Sequence, residues 1–384
     1  MNQYRITLVS FLAYFIMSGM LSPIGILTGP MAEYFDLPIT QVTQKFSWLT
    51  MGILIGAGLA LFVFDWLKIK TLMLVVYTAL GLSLASMFLT EGLDLVGYAL
   101  GLVGVACGIG LAGAASTISG AYADDSRASM LVITDGCFSV AGIVCSYLAV
   151  HFIADQFHWA GVYGFVGLIT VLLLVLTLIS DFPEHIEESK ASVAESELWP
   201  VSIWLCIGAL FLYTLGQYSM LWWLPNYATT ALGVEAGQAG ELVGRFWTGM
   251  FAAQIFVAWW VLKIGVDRLL MIGAFTTVLG SIPLWLVTDV EHLVVLGLVW
   301  GFGNLGLLKI MISFSTLMVE KPSPRLISAL LFGATTGTAV SPYITSQIVE
   351  MTSNYVVLQF SSACYAALAI LLVLAGRFRP TSQH

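Results

Sequence analysis

Twelve apolar runs, each of 20 residues or more, follow one another along the chain, with short polar or Pro/Gly breaks between them. They lie near residues 6–29, 42–64, 71–90, 95–120, 129–151, 159–180, 201–225, 241–262, 269–288, 292–318, 326–349 and 355–376. A helix that crosses a bilayer needs about 20 consecutive apolar residues. Lipid leaves the backbone no partner but itself, which restricts spanning segments to helices and closed barrels. The chain therefore reads as an all-α polytopic membrane protein with the lipid bilayer as its solvent. Charged residues make up 9% of it, against about 25% in soluble domains. With a net charge of -8 and no Lys/Arg cluster, no nucleic acid partner is expected. Cys107, Cys137, Cys145, Cys206 and Cys364 all fall inside apolar runs without ligand or redox spacing and read as small core residues. The first run has no small-x-small cleavage site before Glu33 and Asp36, so it is expected to be retained.

One long polar stretch, Asp181 to Trp199, separates six runs from six. It carries Asp181, Glu184, Glu187, Glu188, Glu195 and Glu197 against Lys190 and reads as a linker between halves at residues 1–180 and 200–384. Orientation follows from Lys and Arg rather than from net charge. With the N-terminus inside, Arg5, Lys68, Lys70, Arg127, Lys190, Lys263, Arg268, Lys321, Arg325, Arg377 and Arg379 all fall on the cytoplasmic side, which puts both termini there. Lys45, Arg245 and Lys309 lie within or at the edge of spans instead.

The halves also repeat. At a shift of about 200, Phe11, Leu12, Met20, Leu21, Phe46 and Ile55 recur as Phe211, Leu212, Met220, Leu221, Phe246 and Ile255, and Lys45-Phe46 recurs as Arg245-Phe246. Arg127 opens the fifth span much as Arg325 opens the eleventh. Parallel six-helix repeats are the plan of the major facilitator superfamily, with the site between halves near midplane.

In detail the chain resembles the TsgA-like proteins of that superfamily, near its fucose permease branch. The residues that carry the likeness are Ala32-Glu33-Tyr34-Phe35-Asp36-Leu37-Pro38, Thr134-Asp135 followed by Phe138-Ser139, Gly216-Gln217 with Trp223-Leu224-Pro225 and Tyr227, and Pro322-Ser323-Pro324. The resemblance covers nearly the whole chain. It implies the major facilitator fold, with 12 transmembrane helices in two pseudo-symmetric six-helix halves, and a transporter of the bacterial inner membrane; it supplies no substrate. Fucose-type permeases carry carboxylates in spans one and four, where this chain has Ser18-Gly19-Met20-Leu21-Ser22-Pro23 and Gly108-Ile109-Gly110-Leu111-Ala112-Gly113. The basic signature between spans two and three is reduced to Asp65-Trp66-Leu67-Lys68-Ile69-Lys70.

Ionisable groups at membrane depth are costly and mark function by default. Asp135 shares a helical stripe with Ser139, Gly142 and Ser146, and suits either a proton carrier or a structural carboxylate. Lys309 has Gly306, Ser313 and Thr316 along its face. In the architecture implied by the resemblance the fifth and tenth helices meet near the cytoplasm, so Asp135 and Lys309 are expected to be able to pair as an inner gate. Lys45 and Arg245, at matching outer ends of spans two and eight, would attract an anion if left without fixed partners. The plainer reading pairs Arg245 with Glu241 one turn before it and lets Lys45 snorkel to the interface.

Span seven mixes amide, hydroxyl and aromatic groups in Tyr213, Thr214, Gln217, Tyr218, Trp222, Trp223, Asn226 and Tyr227, a set suited to a polyol or sugar. The aromatic residues at its end equally suit an interfacial belt. Tyr14, Ser18 and Ser22 in span one, and Asn304 in span ten, are candidate cavity-lining positions. Paired glycines at Gly25/Gly29, Gly52/Gly56, Gly104/Gly108, Gly297/Gly301 and Gly333/Gly337 read as packing surfaces. Pro23, Pro225, Pro283 and Pro342 read as bends.

Phosphate-loop, His-Glu-x-x-His and Gly-x-Ser-x-Gly motifs are absent from the sequence. No enzymatic activity, cofactor, metal or catalytic residue is expected. The reading is a secondary transporter of a small polar solute, sugar-like or anionic, working as a monomer by alternating access, driven by protons, another ion or the solute's own gradient. The rival is a transporter-shaped sensor or scaffold that recruits partners through the acidic linker.

Overall fold

The computed structural model describes residues 2–90, 92–122, 124–155, 157–182, 199–319 and 324–379. Glu184, Glu187, Glu188, Glu195 and Glu197 of the linker, Lys190, Lys321 and Pro322-Ser323 lie outside the described residues, as do the side chains of Asp65, Arg127 and Arg325. Every described element is helical. The first seven are α1 (Asn2–Leu21), α2 (Ile24–Phe35), α3 (Ile39–Trp66), α4 (Ile69–Ser86), α5 (Leu93–Ala121), α6 (Asp124–Ala154) and α7 (Gly161–Leu178). The rest are α8 (Val201–Leu232), α9 (Ala236–Ile264), α10 (Val266–Ser281), α11 (Pro283–Leu286), α12 (Val290–Gly303), α13 (Leu307–Thr316), α14 (Pro324–Met351) and α15 (Asn354–Arg377).

Ten helical segments among the described residues are long and apolar enough to cross a membrane. The other two long helices are α3 and α9, of 28 and 29 residues. In sequence, residues 46–63 of α3 carry no charge and residues 247–264 of α9 carry Lys263 alone, so both helices match apolar runs.

The apolar runs end close to the helices, and the differences have local causes. The first run breaks at Ser22-Pro23, because Pro23 has no N–H to continue the ladder. The chain then resumes as α2 and stops at Asp36, which closes it in the left-handed conformation at φ 51°. Helix α8 passes through Pro225 and ends at Gly233, φ 67°. The ninth run stops at Ser281, and Pro283 starts the single turn of α11. The tenth run is not one helix: Leu305 and Gly306, both at positive φ, separate α12 from α13.

By packing, the chain forms two compact units, Met1–Lys190 with Glu235–Gly244, and Ala191–Val234 with Arg245–His384. The first turns of α9 thus pack with the first unit, where Gly240 lies so close to Val150 and Ile26 that a Cβ would sit 2.5 Å from Val150 Cγ2.

Within the first unit, α3 and α5 meet along a glycine seam. A Cβ on Gly52 would come within 2.4 Å of the Gly101 carbonyl oxygen, and one on Gly56 within 2.3 Å of Val105 O. From the other helix, a Cβ on Gly104 would be 2.1 Å from Leu49 O, and one on Gly108 2.4 Å from Ile53 O. At the end of this unit where α1 starts, side chains cover the carbonyls at and just past the end of α7. Asn2 Nδ2 donates to Asp181 O at 2.6 Å while Asp181 N donates back to Asn2 Oδ1 at 2.9 Å. Arg5 donates to Ile179 O at 3.0 Å, and Lys70 to Leu178 O and Ser180 O at 3.0 and 2.8 Å.

The second unit repeats the seam at α9 and α12: a Cβ on Gly249 would lie 2.1 Å from Leu298 O, and one on Gly301 2.0 Å from Phe246 O. Gly52 and Gly249, Gly101 and Leu298, Gly104 and Gly301, and Leu49 and Phe246 are each 197 residues apart. The repeat at these helices is therefore 197, not 200, and the matching of Lys45-Phe46 with Arg245-Phe246 is a coincidence of letters. Three residues amount to about 4.5 Å and about 60° short of a full turn. Lys45 corresponds to the buried Leu242, and Arg245 to the exposed Trp48. Gly333 and Gly337 of α14 seat against Ile207 O and Phe211 O of α8, whereas Gly29 faces open space.

Candidate transport site

In the first unit, α1 packs against α6, with Gly19 so close to α6 that a Cβ would touch Cys145 Sγ at 3.0 Å. Ser18 and Ser146, next to this contact on either helix, are fully buried, and neither hydroxyl has a hydrogen-bond partner among the described residues. Ser22 donates to Ser18 O at 2.8 Å, covering a carbonyl beside the Pro23 break. Tyr14 is half-buried one turn earlier. On α6, Asp135 is half-buried and Ser139 buried, and Asp135 is not a free charge. The small-polar stripe is thus an inward face of α6, as the spacing implies.

Lys45 departs from the sequence reading. It ion-pairs with Asp94 at the start of α5, its own side chain 28% exposed and that of Asp94 80%. Its pairing with Asp94 tells against the two-cation alternative, and neither sequence reading included Asp94. Such an exposed pair contributes about 0–1 kcal/mol. Sequence could not supply Asp94, because the two residues are brought together only by the packing of α3 on α5. Arg245 is half-buried on α9 and is likewise engaged.

In the second unit, Gln217 and Tyr218 of α8 are 3% and 8% exposed. The Gln217 amide reaches Met250 Sδ at 3.9 Å, a weak acceptor that leaves the amide available. Asn304 is fully buried where α12 ends. Its Nδ2 donates to Trp300 O at 2.8 Å, and its Oδ1 has no hydrogen-bond partner among the described residues. The carbonyl freed at Gly303 is covered from α10, by Thr276 Oγ1 at 2.6 Å and Thr277 Oγ1 at 3.4 Å. Lys309 is half-buried in the first turn of α13, three residues past the break, and is not free. One turn before Asn304, Trp300 packs at a 41° tilt on Phe246 with ring centroids 4.3 Å apart and lies 6.4 Å from Tyr365, whose ring lies 6.4 Å from Tyr213. Spacing does not mark Thr276, Trp300 or Tyr365, since each reads in sequence as an ordinary core position. The Gly-x-Gly-Asn-x-Gly pattern at residues 301–306 was the available signal for the break.

Two compact helical units, a repeated glycine seam and polar side chains buried along α1, α6, α8 and at the α12–α13 break define a multi-pass membrane protein of the transporter type. The chain matches the sequence profile of the Major Facilitator Superfamily over residues 6–240, and it belongs to that family. It is 29% identical over 388 aligned residues to a protein TsgA homolog of Serratia proteamaculans (strain 568), covering 100% of this chain and 98% of the relative. A TsgA homolog of Yersinia enterocolitica is 26% identical with the same coverage. Among solved structures, a D-xylose-proton symporter superposes with a TM-score of 0.75 at 13% identity, covering 99% of this chain and 96% of that one. The nucleoside transporter NupG superposes with a TM-score of 0.71 at 14% identity, covering 98% and 100%. The fold is that of secondary transporters of small solutes.

Proposed function

We propose that this protein moves a small polar solute across the bacterial inner membrane by alternating access, as a monomer with both termini cytoplasmic and with protons as the coupling ion. The observation that carries the reading is the interrupted tenth span. Discontinuous helices in transporters expose backbone and polar side chains where solute and coupling ions bind, and here the interruption holds a buried amide oxygen without a hydrogen-bond partner, Asn304 Oδ1. Gln217 and Tyr218 add an available amide and a phenol on α8, and Tyr14 and Ser18 add hydroxyls in the first unit. Such a set favours a neutral, hydroxylated solute. The pairing of Lys45 with Asp94 weakens the anionic alternative, and the sugar and nucleoside named for the two structural neighbours lean the same way. Asp135 is the proposed proton carrier, and Lys309 its proposed counterpart at the inner gate.

Reconstituted protein tests this directly. Proteoliposomes are expected to take up a neutral sugar or nucleoside saturably, faster with an acid exterior. Asp135→Asn and Lys309→Met are each expected to lower the rate at least tenfold, and Asn304→Leu to raise KM. Uptake no faster than in empty liposomes, across neutral and anionic solutes, would end the transport reading. If the charge-swapped pair Asp135→Lys with Lys309→Asp performs no better than the single variants, the gate pairing falls while transport stands.

A further inference from the structure

The second unit has an open surface hollow of about 220 Å3 at the end opposite to its linker and C-terminal ends, where α8 finishes and α15 begins. It is lined by Tyr227, Thr230, Ala231, Ser353, Asn354 and Tyr355, none of them charged. The volume lies below the roughly 300–1,000 Å3 of sites for drug-sized ligands, which limits an occupant to about one ring.

Its walls are held in place. Asn354 Nδ2 donates to Asn226 Oδ1 and, at 3.1 Å, to Thr230 Oγ1. These bonds engage the Asn354 nitrogen as a donor and leave its oxygen as an acceptor. Asn226, 8% exposed, is fixed in turn as the acceptor of that bond. The aromatic wall is braced from behind: Tyr355 lies 6.0 Å from Tyr227 and packs edge-on against Trp285 at 5.9 Å. Trp285 is itself anchored by its Nε1–H to Ser362 Oγ at 3.0 Å, and Ser362 Oγ is bonded to Ser281 Oγ at 2.9 Å.

From this arrangement we infer that the cavity is an outer capture site for a neutral polyhydroxylated solute of single-ring size, distinct from the membrane-depth residues of the transport path. The half-buried Tyr355 ring covers the C–H side of a sugar or polyol, and the Asn354 oxygen and the Ser353 hydroxyl exchange hydrogen bonds with its hydroxyls, while Thr230, whose O–H already donates to Asn226 O at 2.7 Å, can only accept. A lining without charge gives an anion or cation no counter-ion in exchange for its hydration. The site gives solute a first foothold on the second unit. That purpose rests on the transport reading, whereas binding itself does not.

The test uses the full-length protein in detergent carrying Ser353→Cys, whose thiol stands at the cavity wall. Labelling by a maleimide is followed with D-glucose, sorbitol, gluconate or glucosamine present, which are similar skeletons that differ in charge. D-glucose or sorbitol is expected to slow labelling at least fivefold, with gluconate and glucosamine having little effect. Adding Asn354→Leu, or Ala231→Trp at an exposed helical position where the ring fills the cavity, is expected to abolish protection. Absence of protection by both neutral probes, equal protection by the charged ones, or protection that survives Ala231→Trp would each overturn the assignment. The same measurement in an Asp135→Asn background separates the two ideas: protection retained without uptake keeps the capture site and leaves the transport reading to stand or fall on its own assay.

Discussion

The two glycine seams start alike and end differently. In the first unit the contact begins with Gly52 against Gly101 and Leu49 against Gly104, continues one turn on with Gly56 against Val105 and Gly108 against Ile53, and α5 runs unbroken for 29 residues. In the second unit the contact begins at matching positions 197 residues later, Gly249 against Leu298 and Gly301 against Phe246, but the positions of Gly56 and Gly108 are occupied by Ala253 and Leu305. A Cβ at Gly56 would stand 2.3 Å from a carbonyl oxygen, so a methyl group at the corresponding site cannot let the backbones approach as they do in the first unit. The partner chain leaves the helical path there instead, with Leu305 at φ 49° and Gly306 at φ 60°. Two added side chains thus distinguish a straight strut from a broken span, and the broken span is the one that holds Asn304 and Lys309.

Grafting one seam onto the other is the strongest way to break this comparison. Gly56→Ala combined with Gly108→Leu is expected to destabilise the protein by about 3 kcal/mol, the upper end of ordinary overpacking, seen as a lower midpoint of thermal unfolding in detergent. Ala253→Gly in the second unit is expected to cost only about 1 kcal/mol, the helix penalty of glycine, because the break has already relieved the contact. Equal losses in the two units would mean that the seams do not differ as described.

A smaller effect is expected where the break is patched. Thr276→Val removes the hydroxyl on Gly303 O, so a half-buried carbonyl loses its shorter hydrogen bond at a cost of about 1 kcal/mol. If the patch matters to working motion, uptake should change more than stability does. A change in neither would show that Thr277 alone suffices.

The smallest effect concerns the connection between α6 and α7. His158 lies among Tyr34, Phe88 and Trp159, with ring centroids 5.1–5.4 Å away, and its Nδ1 accepts the Ala160 N–H at 3.2 Å. Burial lowers its pKa below the ordinary histidine value. The neutral ring is favoured in the folded state, so its contribution is fully present above the unfolded value of about 6.5 and declines as pH falls below it. Melting scans from pH 7.5 to 5.5 should show a fall that His158→Phe flattens; identical slopes would remove the histidine from the account.

Most of the fold was legible in the sequence, because a lipid-facing run of 20 apolar residues has one way to satisfy its backbone. The glycine seam of α3 and α5 was legible from Gly52/Gly56 and Gly104/Gly108 for a similar reason, since close approach has few residue solutions. The repeat distance was not. In apolar sequence a Lys-Phe and an Arg-Phe align as readily by chance as by descent, and carbonyl-level contacts were needed to fix 197. Hydropathy also runs smoothly across residues 304–306, so the tenth span reads as continuous although its backbone is not. Asp135, Gln217 and Asn304 could be marked by the cost of burying them, but the partner of Lys45 could not, because it is 49 residues away.

The clasp at the end of α7 bears on how the protein is made. The carbonyls at residues 178–181 are covered by Asn2 and Arg5 from the first helix and by Lys70 from the start of α4. Those donors are synthesised more than 100 residues before their acceptors. While the chain emerges from the ribosome, the earliest helix must keep its polar head in water until the sixth span has been threaded through the membrane. Latching of that head then marks the moment when the leading half of the protein is closed.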